Sequence, residues 1–257
     1  QRLEAEAGRR IMPTLLFRDV GLVKGVKFDS WRRTGSALQA IKVYNMREVD
    51  ELVFLDIRAT PDGRAPDFAQ IDELADECFM PMTVGGGVRN VDHVGQMLAV
   101  GADKVALNTA ALERPRLIED AARQYGSQCI VVSIDVLRHP DGKVEVIAGC
   151  GKERTGRDPV DWAREAEANG AGEILLTSVD RDGTFEGYDV PLTRAVADAV
   201  KIPVIASGGC GKYAHMADVL RDGKATAVAA ASIFHFTEQT PREAKLYLKQ
   251  QGFNVRV

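Results

Sequence analysis

Short apolar runs alternate with longer amphipathic stretches along the whole chain. The runs Arg10–Phe17, Leu52–Ile57, Pro81–Val84, Lys104–Leu107, Cys129–Ile134, Glu173–Thr177, Pro203–Ala206 and Ala225–Ala229 read as strands. The stretches Ser36–Asn45, Asp67–Cys78, Val91–Val100, Arg114–Tyr125, Pro159–Asn169, Pro191–Val200, Tyr213–Arg221 and Pro241–Gln250 read as helices. Val94, Met97 and Leu98, for example, fall at helical spacing. Pro159, Pro191 and Pro241 sit near helix starts, where a missing N–H costs nothing. Gly101, Gly170 and Gly223 sit just past helix ends, where a left-handed cap is common.

Strict alternation of eight strands with eight helices predicts a parallel sheet, and eight such units in 257 residues suit a closed (β/α)8 barrel. Strands that are apolar throughout fit a sheet covered by helices. An open doubly wound sheet is the competitor, but no Gly-x-Gly-x-x-Gly follows the first strand. No linker or low-complexity segment interrupts the pattern. Residues 10–257 therefore read as one domain, and 1–9 as a disordered or artificial N-terminal extension that begins at Gln1 where a Met is expected.

An internal repeat sharpens the barrel. A shift of 122 residues lays Glu51 over Glu173, Pro81 over Pro203, Gly86-Gly87 over Gly208-Gly209, Gly101 over Gly223 and Asn108-Thr109 over Ala230-Ala231. Two half-barrels follow, with similar pockets expected on opposite sides of one barrel mouth.

Active sites of this fold lie at the C-terminal strand ends. The third strand ends in Gly85 to Gly87 and the fourth in Asn108-Thr109, which offer backbone donors, an amide and a hydroxyl to one phosphate. Asp180-Arg-Asp-Gly-Thr184, Gly208-Gly209 and Ala231-Ser232 end the sixth, seventh and eighth strands and form a second such group. A single Gly-Gly is ordinarily a turn; the doubled set favours a ligand with a phosphate at each end. Asp135 ends the fifth strand among apolar neighbours, where an aspartate is costly unless hydrogen-bonded or functional. Asp56 ends the second strand, as an acid–base group or a structural acceptor. Lys24, in a loop after the first strand, either reaches an anion or stays solvated.

Arg10, Glu51, Lys104 and Glu173 stand at the opposite ends of four strands. They are either ordinary surface charges or a closed ring of salt bridges around the barrel axis.

Composition narrows the field rather than redirecting it. With 45% hydrophobic and 27% charged residues and a net charge of −4, the chain reads as a soluble globular protein, with no reason to expect nucleic acid. No run approaches the ~20 apolar residues of a membrane helix, so the cytoplasm is the expected location. Cys78, Cys129, Cys150 and Cys210 form no metal-ligand spacing, and neither do His93, His139, His215 and His235. Cys150 and Cys210 lie beside glycines where either could line a pocket. Neither a metal nor a cofactor is implied.

Several stretches together resemble one family, the cyclase subunit of imidazole glycerol phosphate synthase. They are Val23-Lys-Gly25, Asp50-Glu-Leu-Val-Phe-Leu-Asp56, Thr83-Val-Gly-Gly-Gly87, Gly101-Ala-Asp-Lys-Val105, Asn108-Thr-Ala110, the block Gly170 to Thr184, Ala206-Ser-Gly-Gly209 and Ala230-Ala-Ser-Ile-Phe-His-Phe236. The resemblance implies a (β/α)8 barrel bound through its N-terminal face to a glutaminase subunit. Ammonia from that partner passes through the barrel and attacks a bis-phosphate ribulosyl aminoimidazole carboxamide nucleotide. It implies phosphate and substrate roles for Gly87, Asn108, Thr109, Asp182, Gly183, Thr184, Gly209, Ala231 and Ser232, with Lys24 beside them. It also implies an ammonia gate at Arg10, Glu51, Lys104 and Glu173, and a partner contact at Asp103.

The family works with two catalytic aspartates, at the ends of the first and fifth strands. Asp135 matches the second, but Leu16 stands where the first belongs. Leucine cannot move protons, and an acid–base group is typically worth about 10²–10⁴ in rate. Asp19 is near in sequence but three residues further on. Leu16 and the segment Arg18 to Gly25 resemble a divergent branch associated with sugar amidation in lipopolysaccharide and other surface-polysaccharide biosynthesis. There, barrel and glutaminase supply ammonia to a third, amidotransferase component, and the ligand is a bis-phosphate or a sugar-derived molecule. The alternatives are the histidine-pathway cyclase itself and a non-catalytic barrel that only activates the glutaminase.

Overall fold

The computed structural model describes residues 8–18, 21–26, 29–35, 40–41, 44, 49–235 and 237–257; for 18, 21–26, 29–35 and 235 only the backbone is described. Residues 1–7 and Asp19 thus lie outside the described residues, as does most of the stretch Ser36–Asn45.

The strands in chain order are β1 (Arg10–Arg18), β2 (Gly21–Val26), β3 (Asp29–Gly35), β4 (Leu52–Asp56), β5 (Met82–Gly85), β6 (Lys104–Leu107), β7 (Ile130–Arg138), β8 (Val144–Ala148), β9 (Glu153–Arg154), β10 (Glu173–Ser178), β11 (Val204–Ser207) and β12 (Ala227–Ala230). Eight of them pair in parallel around a closed circuit, β1–β4–β5–β6–β7–β10–β11–β12 and back to β1. This is the (β/α)8 barrel. An open sheet is excluded, because β12 pairs with β1 and the circuit has no edge.

Two antiparallel hairpins extend the circuit at the mouth. β2 pairs with the end of β1 and with β3; β8 pairs with the end of β7 and with β9. The expected loop around Lys24 is therefore a strand, with Lys24 paired to Arg32. The reason is that β1 and β7 each run nine residues, past the barrel rim, and their exposed edges take a further strand. The side chain of Lys24 lies outside the described residues.

Helices connect the strands over Phe68–Glu77, Val91–Ala99, Arg116–Tyr125, Pro159–Ala168, Val190–Ala199, Tyr213–Arg221 and Pro241–Gln250. Asp67, Asn90, Asp158, Asp189 and Thr240 cap five of them, each accepting a backbone N–H of the first turn. The expected helix Arg114–Tyr125 begins two residues later, at Arg116, and a further helix, Thr109–Glu113, precedes it where none was expected. Pro115 forbids the helical conformation to the residue before it, and Arg114 sits at φ −139°, ψ 86°. A short helix Ser232–His235 was not expected. Gly101 and Gly170 have the positive φ of left-handed caps, but after Tyr213–Arg221 that role falls to Lys224, at φ 55°. Gly223 serves close approach instead: a Cβ there would meet the Val219 carbonyl oxygen at 2.6 Å.

Strand residues of one parity, such as Leu15, Phe54, Val105 and Val132, pack against helix residues including Ile71, Val94, Leu117 and Trp162. The other parity turns inward. Met12, Val53, Ala106, Val131, Leu175, Ile205, Ala227 and Ala229 form a separate apolar cluster inside the barrel. At the N-terminal end the Arg9 N–H donates to the Asn254 carbonyl at 2.6 Å, which brings the last residues alongside β1. No helix among the described residues is long and apolar enough to cross a membrane.

Candidate functional site

The circular strand order divides the barrel mouth into quarters. β1 and β4 stand opposite β7 and β10, and β5 and β6 stand opposite β11 and β12. One concavity, with about 1070 Å³ of space that opens to solvent, is lined from all four quarters.

Two opposed quarters carry the glycines. Gly85, Gly86, Asn108 and Thr109 line the cavity on one side; Gly208, Gly209, Ala231 and Ser232 line it on the other, with Asp182 and Gly183 beside them. Gly86 and Gly208, which the 122-residue repeat lays over each other, have φ of 104° and 95°, and a Cβ would meet the Asp56 oxygen at 2.2 Å in one case and the Ser178 oxygen at 2.6 Å in the other. Backbone is thus pressed against backbone at matching points of both halves. Gly86→Ala is expected to cost more than about 1 kcal/mol of stability, read as a lowered urea midpoint with an unchanged slope. The Ser232 Oγ is buried without a hydrogen-bond partner among the described residues. The Thr109 Oγ1 accepts the Gly149 N–H at 3.1 Å, which ties the second hairpin to this rim.

Two residues of the sequence-derived set stand apart from the lining. The Gly87 N–H donates to Thr60 Oγ1 at 3.3 Å, and a Cβ on Gly87 would strike Ala59 and the Arg64 carbonyl. Gly87 therefore faces the segment after β4, and Gly85 and Gly86 front the cavity. The Thr184 hydroxyl donates to the Arg181 carbonyl at 2.6 Å and accepts the Glu186 N–H, which holds it within its own turn. Cys150 and Cys210 both line the cavity. Burial pushes each thiol up to about 12, so both are neutral thiols near pH 7.

The β7–β10 quarter carries acids. Asp135 is 7% exposed and accepts the Asn108 Nδ2–H at 2.9 Å. Burial raises its pKa to about 6; the Asn108 hydrogen bond works against that rise and the nearby Asp182 charge adds to it. A carboxyl titrating there exchanges a proton readily near neutral pH. The Ser133 Oγ, two residues back along the same inward face, is buried without a partner among the described residues.

The facing β1–β4 quarter presents a pair of leucines among Thr14, Asp56 and Thr60. Leu16 pairs in register with Leu55, and both line the cavity. Asp56, the acid of this quarter, is engaged locally. Its Oδ1 accepts the N–H groups of Arg58 at 2.9 Å and Ala59 at 3.1 Å, and its Oδ2 lies 3.7 Å from Arg64. The Oδ1 contacts fit the structural role considered for Asp56, while its Oδ2 is buried without a hydrogen-bond partner among the described residues.

At the other end of the barrel the four charges close a ring. Arg10 lies 2.7 Å from Glu51 and 3.1 Å from Glu173; Lys104 lies 2.5 Å from Glu173 and 3.6 Å from Glu51. Their side chains are only 11–21% exposed. Burial by itself pushes the Glu173 carboxyl up, but Arg10 and Lys104 outweigh it and hold the group below its usual value.

Sequence reasoning missed what steadies the ring. Asp50, beside Glu51, accepts the Ile11 N–H at 3.3 Å and the buried Lys245 ammonium at 2.8 Å. Asp103, beside Lys104, accepts the Met82 N–H at 2.8 Å. The Asp50–Glu51 and Asp103–Lys104 doublets were the available signal, an acid placed next to each charged strand start.

Among the described residues no group of three or more His, Cys, Asp or Glu side chains is arranged to hold a metal ion. The model of a protein family described as "Histidine biosynthesis protein" matches residues 10–240.

Proposed function

The chain belongs to the histidine biosynthesis protein family as a cyclase-like barrel, and from that premise we propose that it conducts ammonia. A glutaminase partner docks on the face that carries the charge ring and releases ammonia there. Ammonia enters through the ring, crosses the apolar interior as the neutral molecule, and emerges at the mouth beside Asp135. The bis-phosphate or sugar-derived ligand, or a third amidotransferase component, meets it at that end. In this reading the complex supplies sugar amidation in surface-polysaccharide biosynthesis.

One observation carries the proposal. The closed ring at one end and the mouth at the other share one inward-facing strand parity, and across the mouth from Asp135, where the family resemblance expects a second acid, stands Leu16. In this reading the path is kept and the proton-transfer pair is not. A barrel without its second aspartate forms an imidazole ring poorly, because the first-strand end offers no group to shuttle the proton.

The second reading is the histidine-pathway cyclase, favoured by the retained Asp135 with its pKa of about 6 and by both glycine quarters. The test supplies ammonium salt and the bis-phosphate ribulosyl aminoimidazole carboxamide nucleotide directly to the purified chain. Imidazole glycerol phosphate formation is expected at least about 10²-fold below that of a barrel with both aspartates. Robust turnover would sink the amidation reading and establish the second.

A further inference from the structure

We propose that Leu16 is a specificity-determining residue, and that the mouth selects a ligand with two anionic ends whose middle turns a hydrocarbon face toward Leu16 and Leu55. The inference rests on reading the two glycine quarters as anion cradles. It goes further by assigning the two quarters between them.

A ligand held cradle to cradle lies across the mouth from β5 and β6 to β11 and β12. Its flanks then face the remaining quarters. On one flank stand Asp135, Asp182 and the unpartnered Ser133 hydroxyl. On the other stand Leu16 and Leu55, side by side in the β1–β4 register, with Thr14, Asp56 and Thr60 around them. Leu16 is 8% exposed, so what it still shows is shown to the cavity. The acid of that flank, Asp56, spends its Oδ1 on its own turn, and its Oδ2 lies 3.7 Å from Arg64 without accepting a hydrogen bond among the described residues.

A hydroxyl turned toward the two leucine side chains loses water and gains no partner from them, whereas a methylene or methyl group loses only unfavourable hydration. The wall therefore discriminates by which face of the ligand is carbon. Charge at the two ends sets the span, and the leucines set which side goes where.

Two six-carbon bisphosphates test this on the full chain by titration calorimetry. 1,6-Hexanediol bisphosphate and fructose 1,6-bisphosphate share their carbon count and both phosphates and differ in the polar groups between. Leu16→Asn is expected to shift the ratio of their dissociation constants about tenfold toward the sugar, and Leu55→Asn should shift it in the same direction. Leu16→Met, which keeps the wall apolar, should leave the ratio within about twofold. A ratio unchanged in Leu16→Asn and in Leu55→Asn overturns the inference while leaving the cradles standing. Binding of neither bisphosphate to the unaltered chain overturns both the inference and the cradle reading beneath it. If Leu16→Asn does not fold, as judged by circular dichroism, the Leu55→Asn ratio decides.

Discussion

Replacing Asp135 by asparagine is expected to lower the residual ammonia-dependent formation of imidazole glycerol phosphate by about 10²–10⁴-fold and, at the same time, to make the protein more stable above pH 6. Both effects come from one fact, a carboxyl 7% exposed whose pKa stands at about 6 rather than 3.8. The charged form is the poorly solvated one. Because the folded value lies above the unfolded one, the folded protein binds the extra proton between about pH 4 and 6, and stability falls as pH rises through that window. Above it the full cost of the buried charge is present, corresponding to about 3 kcal/mol for a rise of this size. Asparagine keeps the contact to Asn108 within reach and carries no charge. Its stabilising effect should be largest at pH 8 and fade toward pH 4, which urea midpoints at the two pH values measure. The activity of the unaltered protein should rise with pH around 6. A variant of undiminished activity would place the acid–base group elsewhere, and equal midpoints at pH 8 would show that the buried carboxylate costs nothing.

Glu173→Ala is expected to have the largest destabilising effect of the ring residues. Glu173 alone touches both cations at 3.1 Å or less, so its loss leaves Arg10 and Lys104 facing each other with Glu51 between them. Removing one partner of a buried pair costs about 3–5 kcal/mol, and allowing for the residual exposure here about 2–3 kcal/mol is expected. Acid should act in the same direction. The Glu173 carboxyl is held below its usual 4.5 by Arg10 and Lys104 against the effect of burial. Its contribution is therefore present above pH 4.5 and is lost as pH falls through the folded value. Urea midpoints between pH 3 and 7 should show a steep acid loss in the unaltered protein and a shallower one in Glu173→Gln. Matching acid limbs would mean that the ring does not contribute as its geometry suggests.

Much of the fold was legible because barrel strands and helices are each local periodic patterns. Tyr213–Arg221 and Pro241–Gln250 have their expected bounds, and most other elements differ by a residue or two at an end. The misses have particular causes. Pro115 keeps Arg114 out of the helix that begins at Arg116, a stereochemical effect that apolar spacing does not register. Both hairpins exist because β1 and β7 overrun the rim, and nothing in Gly21–Val26 by itself shows that an edge waits beside it. At the mouth, triple glycine marked the place correctly, but only the packing of Gly87 against Ala59 and Arg64 separates it from Gly85 and Gly86.

The ring shows the same division. Four charges at strand starts were visible in the chain, yet spacing could not say whether they meet. Lys245 and Asp50, 195 residues apart, could not be paired from sequence at all.

By itself the sequence determined the alternation of elements, the inward parity of each strand and the residue at each strand end, including Leu16 on the first. Those are consequences of local stereochemistry, in which a strand turns its side chains with period two whatever lies beside it. Only the tertiary structure decided which ends face each other. Closure of β12 onto β1 and of β10 onto β7 fixes the circular order. That order sets leucines opposite carboxylates and one glycine pair opposite the other. Opposition across a barrel axis is a property of the closed circuit, formed by pairings between residues far apart along the chain, and no local pattern contains it.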